Sequence, residues 1–154
     1  MKKKFLDLGY QPLANQYLKR HVTNQVMYRL KILFNTKTKM ISISKRIASN
    51  KMFNSNYPYR SSMSQTMKDS FKNLFLEIKK KFRPKILLEI GSNDGALITN
   101  FNKNKVIGVE PCKNLAKITS DQRYFTYDKY WNLDLAKKIK KKFGLIDVIY
   151  SANT

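Results

Sequence analysis

One stretch, Lys85-Ile-Leu-Leu-Glu-Ile-Gly-Ser-Asn-Asp-Gly95, limits the fold more than any other. Ile86, Leu87 and Leu88 make a short apolar run, Glu89 and Gly91 follow, and Asp94-Gly95 closes the segment. This order predicts a buried strand that ends in a tight glycine turn and opens a helix over 95–101. A strand, a glycine loop and a helix N-terminus together form a cradle for a nucleotide-like ligand. Glycine lets the backbone turn, and lets a ligand approach, where a Cβ would clash.

A second short apolar run, Lys105-Val-Ile-Gly-Val-Glu110, also ends in an acid. Glu110 falls about 20 residues after Glu89, which places a carboxylate at the tip of the neighbouring strand, in position to accept hydrogen bonds from ribose hydroxyls. The loop Gly91-Ser-Asn-Asp-Gly95 lacks the G-x-G-x-x-G spacing of dinucleotide binders and carries Asn93 where a further glycine is common. It resembles motif I of class I S-adenosylmethionine-dependent methyltransferases, with Glu89 as the acid before the first glycine. A strand–turn–helix that binds nothing is the plainer alternative.

At 154 residues the chain has room for one domain, or a small one and part of a second. A hydrophobic content of 42% permits a packed core and argues against wholesale disorder. The net charge of +21 raises nucleic acid as a partner. The basic residues are mostly lysines spread along the chain, and no arginine-rich run, helix-turn-helix or ribonucleoprotein-type aromatic pattern accompanies them. Cys112 is the only cysteine and His21 the only histidine, so neither an intramolecular disulfide nor a four-ligand zinc site from these residue types can form. No run approaches the roughly 18 apolar residues of a membrane span, and Phe5-Leu-Asp-Leu8 interrupts any signal-peptide apolar region. The expectation is a cytoplasmic chain with no membrane partner.

Along the chain, Gly9 and Pro12 mark Leu8–Asn15 as loop or turn. Alternating apolar residues at Val26, Tyr28, Leu30 and Ile32, then at Met40, Ile41, Ile43 and Ile47, predict a β-hairpin or a small sheet turning around Asn35–Thr38. The polar and aromatic segment 54–64 leads to an amphipathic helix whose stripe is Met67, Phe71, Leu74, Phe75, Ile78 and Phe82. Ser62 and Gln65 read as its capping box, and Pro84 ends it. From Lys85 onward strands at 85–90, 105–110, 123–127 and 145–150 alternate with helices at 95–101, 112–119 and 132–143. The last helix has Asn132 as N-cap, a stripe of Ala136, Ile139 and Phe143, and Gly144 as its stop. That alternation means a parallel sheet with right-handed crossovers and a ligand at the carboxyl ends of the strands. Asp128, after the third strand, is either an acceptor for an adenine amino group or a helix-start acid. Asn153 follows the fourth.

Four segments resemble the sugar C-methyltransferases of deoxysugar biosynthesis in order and spacing. They are Phe5-Leu-Asp-Leu-Gly-Tyr-Gln-Pro-Leu-Ala-Asn15, Tyr57-Pro-Tyr-Arg-Ser-Ser-Met-Ser64, Leu87-Leu-Glu-Ile-Gly-Ser-Asn-Asp-Gly95 and Gly108-Val-Glu-Pro111. The resemblance implies a small N-terminal zinc module, a Rossmann-like domain that binds S-adenosylmethionine, and methylation through an enolate of a carbon beside a ketone on a nucleotide-linked sugar. It also implies departures. The second zinc-binding cysteine pair would fall at Asn35 and Thr38, so no zinc is expected. The family's histidine motif after the fourth strand would lie beyond Thr154, and the C-terminal domain is absent. A sheet of four strands suggests a truncated or degenerate chain, inactive by itself.

The expected fold is α/β: an incomplete Rossmann-like parallel sheet of the methyltransferase type, preceded by a small β-hairpin module and a linking helix. The expected divisions are 1–56 (β region without metal ligands), 57–84 (linker and helix) and 85–154 (cofactor domain). Expected cofactor contacts are Ser61, Ser62, Glu89, Gly91, Asn93, Asp94, Gly95, Glu110, Asp128 and Asn153, with Tyr57 and Tyr59 on the substrate side and no catalytic base assigned. Rival readings are a methyltransferase for another small substrate and a basic nucleic-acid-binding module. A missing C-terminal portion or partner chain is a further expectation, as completion of the sheet.

Overall fold

The computed structural model describes residues 1–152, so Asn153 lies outside the described residues. The chain divides into two compact units, Met1–Phe53 and Asn54–Thr154.

The first unit is a three-stranded antiparallel sheet of β1 (Lys2–Gln11), β2 (Tyr28–Asn35) and β3 (Ile41–Ile43), followed by a single helical turn, α1 (Ser49–Met52). The β2–β3 hairpin follows the alternation of its sequence. Its turn is closed by the Asn35 side chain, whose Oδ1 accepts the N–H groups of Lys37 and Thr38. β1 is the correction. Leu8–Gln11, read as loop because of Gly9, belongs to a strand paired with β2 along its length. Register shifts between Lys4 and Leu6 and between Asp7 and Tyr10 absorb the breaker. Gly9, at φ 69°, sits in the second irregularity, where an extra residue needs a left-handed backbone. Opposite it, Arg29 pairs with Asp7 at 2.8 Å. No residue of this unit is buried.

The second unit holds the parallel sheet. β4 (Leu87–Ile90), β5 (Val106–Val109), β6 (Phe125–Tyr127) and β7 (Val148–Ser151) lie in the order β6-β5-β4-β7, all parallel. Chain order therefore runs outward from β4 to β6 and then reverses to β7, which puts the switch of direction between β4 and β7. Alternation along each strand sends neighbours to opposite faces. Leu87 and Val106 join one apolar cluster with Phe71 and Ile78 of α2 (Gln65–Phe82). Leu88 and Ile107 join another with Leu135 and Ile139 of α4 (Leu133–Phe143). Helices cover both faces, as a buried parallel sheet requires. Asp147 ties the start of β7 to the start of β4 by accepting the N–H groups of Lys85 and Ile86, which holds its carboxyl below the usual range.

Three readings of this unit need correction. The N-cap of α2 is Ser64, whose hydroxyl accepts the Met67 N–H, and not Ser62. Gln65 is the first helical residue and bonds Asp69 one turn on. Phe82, the last member of the predicted stripe, is 55% exposed. The helix expected over 95–101 is a turn followed by a three-residue 3₁₀ segment, Ile98–Asn100. Here the Thr99 hydroxyl takes the Gly95 carbonyl, and the Asn100 amide takes those of Ala96 and Leu97. Side chains that bond back to nearby carbonyls compete with helix propagation. α3 (Lys113–Asp121) and α4 lie close to expectation, with Asn132 capping α4 by accepting the Leu135 N–H.

Candidate functional site

Three segments meet at the carboxyl end of the parallel sheet: the turn 91–95 after β4, Glu110 after β5, and the chain 57–62 ahead of α2. The turn has left-handed residues at every second position, with φ 74° at Gly91, 51° at Asn93 and 89° at Gly95. Glycine reaches that region freely, and asparagine is among the few other residues that tolerate it. Asn93 supplies what a glycine there would lack. Its Oδ1 accepts the N–H groups of Ser61 (3.0 Å) and Asp94 (2.9 Å), and its amide donates to the Tyr59 carbonyl (3.2 Å).

Asp94 is buried, and its two carboxylate oxygens take the Ser62 N–H and hydroxyl. The segment 57–62 is thus latched to the turn at Tyr59, Ser61 and Ser62. It is latched to α3 through the Tyr57 carbonyl, which accepts the Asn114 amide at 2.8 Å. At the turn's near end, Gly91 and Ser92 donate their N–H groups to the Val109 carbonyl. Gly95 sits against α3. A Cβ built on it would come within 2.5 Å of Thr119 Cγ2.

Glu110 is buried and bridges two elements, Oε2 accepting the Asn93 N–H and Oε1 the Cys112 N–H, both at 2.8 Å. A carboxylate offers about four lone-pair sites; the Cys112 thiol also bonds this one, which leaves capacity for about one further donor. Glu89 is different. It lies in the middle of β4 between Gly108 and Tyr150 and is 3% exposed. Burial, with the Glu110 charge adding to it, pushes its carboxyl well above the usual carboxylate range, against a hydrogen bond from the Ile98 N–H. Among the described residues its Oε2 has no partner, and the same holds for the buried Ser92 Oγ and Asn114 Oδ1. Buried polar atoms are normally satisfied, so unspent capacity gathered around one turn is notable. Cys112 is buried, and that burial raises its thiol to about 12, far from the thiolate a nucleophile needs.

The structure therefore brings together Ser61, Ser62, Gly91, Asn93, Asp94, Gly95 and Glu110, with Glu89 beneath them and the backbone of Tyr57 and Tyr59 beside them. Asp128 does not join them by any hydrogen bond among the described residues. It is exposed after β6, and because Asn132 caps α4, it is not a helix-start acid either. Ser92, Asn114 and the Cys112 N–H escaped the sequence reading. Ser92 stood inside the glycine loop and was open to notice, whereas nothing local marked Asn114. Among the described residues no three His, Cys, Asp or Glu side chains group as metal ligands, and no helix is long and apolar enough to cross a membrane.

No protein-family model matches this chain, and no curated protein matches it.

Proposed function

We propose that the unit 54–154 binds S-adenosylmethionine as the Rossmann-like part of a class I methyltransferase, of the type that methylates a carbon beside a ketone on a nucleotide-linked deoxysugar. The observation that carries the reading is Glu110. It is a carboxylate at the carboxyl tip of β5, hydrogen-bonded to the glycine turn after β4 and to Cys112 before α3, with about one lone-pair site to spare. In a doubly wound sheet the ligand lies at the switch of strand order, and here that switch adjoins the turn.

The donor chemistry fits a cationic nucleoside. Glu110 takes a ribose hydroxyl on its remaining lone pair. Asn114 Oδ1 adds an acceptor beside the Tyr57 segment, and the protonated Glu89 carboxyl offers an O–H donor beneath the turn. When bound, S-adenosylmethionine supplies an electrophilic methyl group on a sulfonium. The chain's own task is alignment, which the latch between 57–62 and 91–95 supports by fixing both segments as one rigid piece. Tyr57 and Tyr59 then belong to the substrate side of that latch. The sugar substrate and the carbon methylated rest on the family resemblance alone.

Calorimetric titration of the whole chain with S-adenosylmethionine tests this, with Glu110→Gln alongside and circular dichroism on both. Saturable binding, weakened at least about tenfold by the substitution, is the expected result, because a hydrogen bond to an ionised acceptor is lost. A folded wild-type chain that releases or absorbs no heat, and shows no binding by equilibrium dialysis, overturns the proposal.

A further inference from the structure

A cavity lies at the other end of the sheet from the glycine turn, at the amino-terminal ends of β5 and β6. Its volume is about 370 Å³, and Lys103, Asn104, Arg123, Tyr124, Phe125 and Phe143 are among its walls. That volume lies within the range of small-ligand pockets, roughly 300–1,000 Å³. The lining pairs cations with aromatic rings and contains no acid.

Of the cations in and beside the cavity, Lys103 and the neighbouring Lys142 lie over aromatic rings. Lys103 Nζ lies 5.4 Å from the centre of the Tyr124 ring, and Lys142 Nζ lies 4.0 Å from that of Phe125 and 5.3 Å from that of Phe143. Among the described residues none of Lys103, Arg123 and Lys142 has an ion-pair partner, although the chain does form ion pairs at Arg29–Asp7 and Lys117–Asp121. A cation over a ring keeps its N–H donors for a further acceptor. Arg123 is held in the left-handed region, at φ 66°, by its N–H bond to the Ser120 carbonyl. This is the left-handed ending of α3, with the Tyr124 N–H also returning to the Thr119 carbonyl. Tyr124 is fixed from the other side, its hydroxyl donating to the Thr99 carbonyl at 3.1 Å. Tyr124 and the Arg123 backbone are therefore positioned, and among the described residues no carboxylate pairs with the exposed cations beside them.

We infer that this cavity binds a phosphate-bearing, ring-containing ligand, a nucleotide unit, with Lys103 and Arg123 on the phosphate and the aromatic walls against the ring. Guanidinium and ammonium groups take phosphate through charge-assisted hydrogen bonds. Flat bases gain from aromatic contact without sequence preference. The same chemistry is offered by a free mononucleotide and by one nucleotide of a single strand. The cavity stands at the opposite end of the sheet from the glycine turn and does not depend on the proposal made for that end.

The test uses the whole chain and a fluorescein-labelled oligouridylate, read by anisotropy at low salt, with adenosine 5′-monophosphate as competitor. The pocket variant is Lys103→Gln with Arg123→Gly. Glycine suits the positive φ at 123, so the substitution removes charge without adding backbone strain. The control, Lys79→Gln with Lys80→Gln, removes the same charge from α2. The pocket variant is expected to weaken the probe at least about tenfold and the control by less than about twofold, with unchanged circular dichroism for both. Displacement of the probe by the mononucleotide assigns the cavity to free nucleotides, and lack of displacement assigns it to a strand. Equal weakening by the two variants, or no binding by the wild-type chain, overturns the inference: the first makes the attraction general to the +21 charge, the second leaves the cavity without this ligand class.

Discussion

Ser62 holds Asp94 with two hydrogen bonds, its backbone N–H reaching one carboxylate oxygen at 3.1 Å and its hydroxyl the other at 2.5 Å. The pair joins a segment ahead of α2 to the glycine turn after β4. It also explains why Ser62 does not cap the helix: its hydroxyl is spent on a buried carboxylate, and Ser64 takes the capping position instead.

Ser62→Ala removes one bond to an ionised acceptor and should cost about 1–2 kcal/mol of unfolding free energy. Ser64→Ala should cost about 1 kcal/mol, as loss of an N-cap does. The two differ in location. Hydrogen exchange in the Ser62 variant should rise at the turn 91–95, and in the Ser64 variant only at the first turn of α2. Chemical denaturation with exchange measurements reads both, and an unchanged turn in the Ser62 variant would show that the latch does not hold it.

Gly95→Ala meets two obstacles. The backbone stands at φ 89°, and the new methyl group would lie 2.5 Å from Thr119 Cγ2. Together they should destabilise by at least about 2 kcal/mol. Adding Thr119→Ser deletes that methyl and should recover part of the loss, leaving the backbone share. Thermal unfolding of the single and double variants separates the two. Absence of any recovery would mean that crowding contributes nothing.

Glu89 gives stability a pH dependence of definite sign. Its folded carboxyl holds a proton well above its ordinary 4.5. Between that value and the raised one the folded state binds more protons than the unfolded state, so stability falls as pH rises. Glu89→Gln keeps the shape and the acceptor for the Ile98 N–H but cannot ionise. The wild-type chain should lose stability relative to this variant by up to about 1.4 kcal/mol per pH unit in that window, and by nothing below it. Denaturation midpoints of both proteins across mildly acid to mildly alkaline pH check this. Parallel curves would mean that Glu89 ionises freely in the fold.

How much of this was legible before the structure can be said residue by residue. The β/α alternation from Lys85, the hairpin at 28–43, and the ends of α4 at Asn132 and Gly144 were readable, because apolar period and capping are properties of neighbouring residues. The strand β1 was hidden by Gly9, since a bulge is a property of a strand pair and not of one strand. The helix expected at 95–101 had the right residues for a helical start, yet Thr99 and Asn100 bond back to carbonyls and stop it.

By itself the sequence determined where β2, β3, α2 and, apart from the segment 95–101, the strands and helices from Lys85 onward fall, that a glycine turn follows β4, and that an acid ends β5, because these rest on local spacing and on the backbone freedom of single residues. Only the tertiary structure decided what those residues do. Asn93 replaces a glycine by using its side chain across the fold, Ser62 leaves the helix cap for Asp94 across a separation of 32 residues, and Glu110 braces two elements at once. The physical reason is that a hydrogen-bond partner distant in the chain exists only once packing has brought it near. Burial then sets the value of that partner, by removing the water that would otherwise serve in its place.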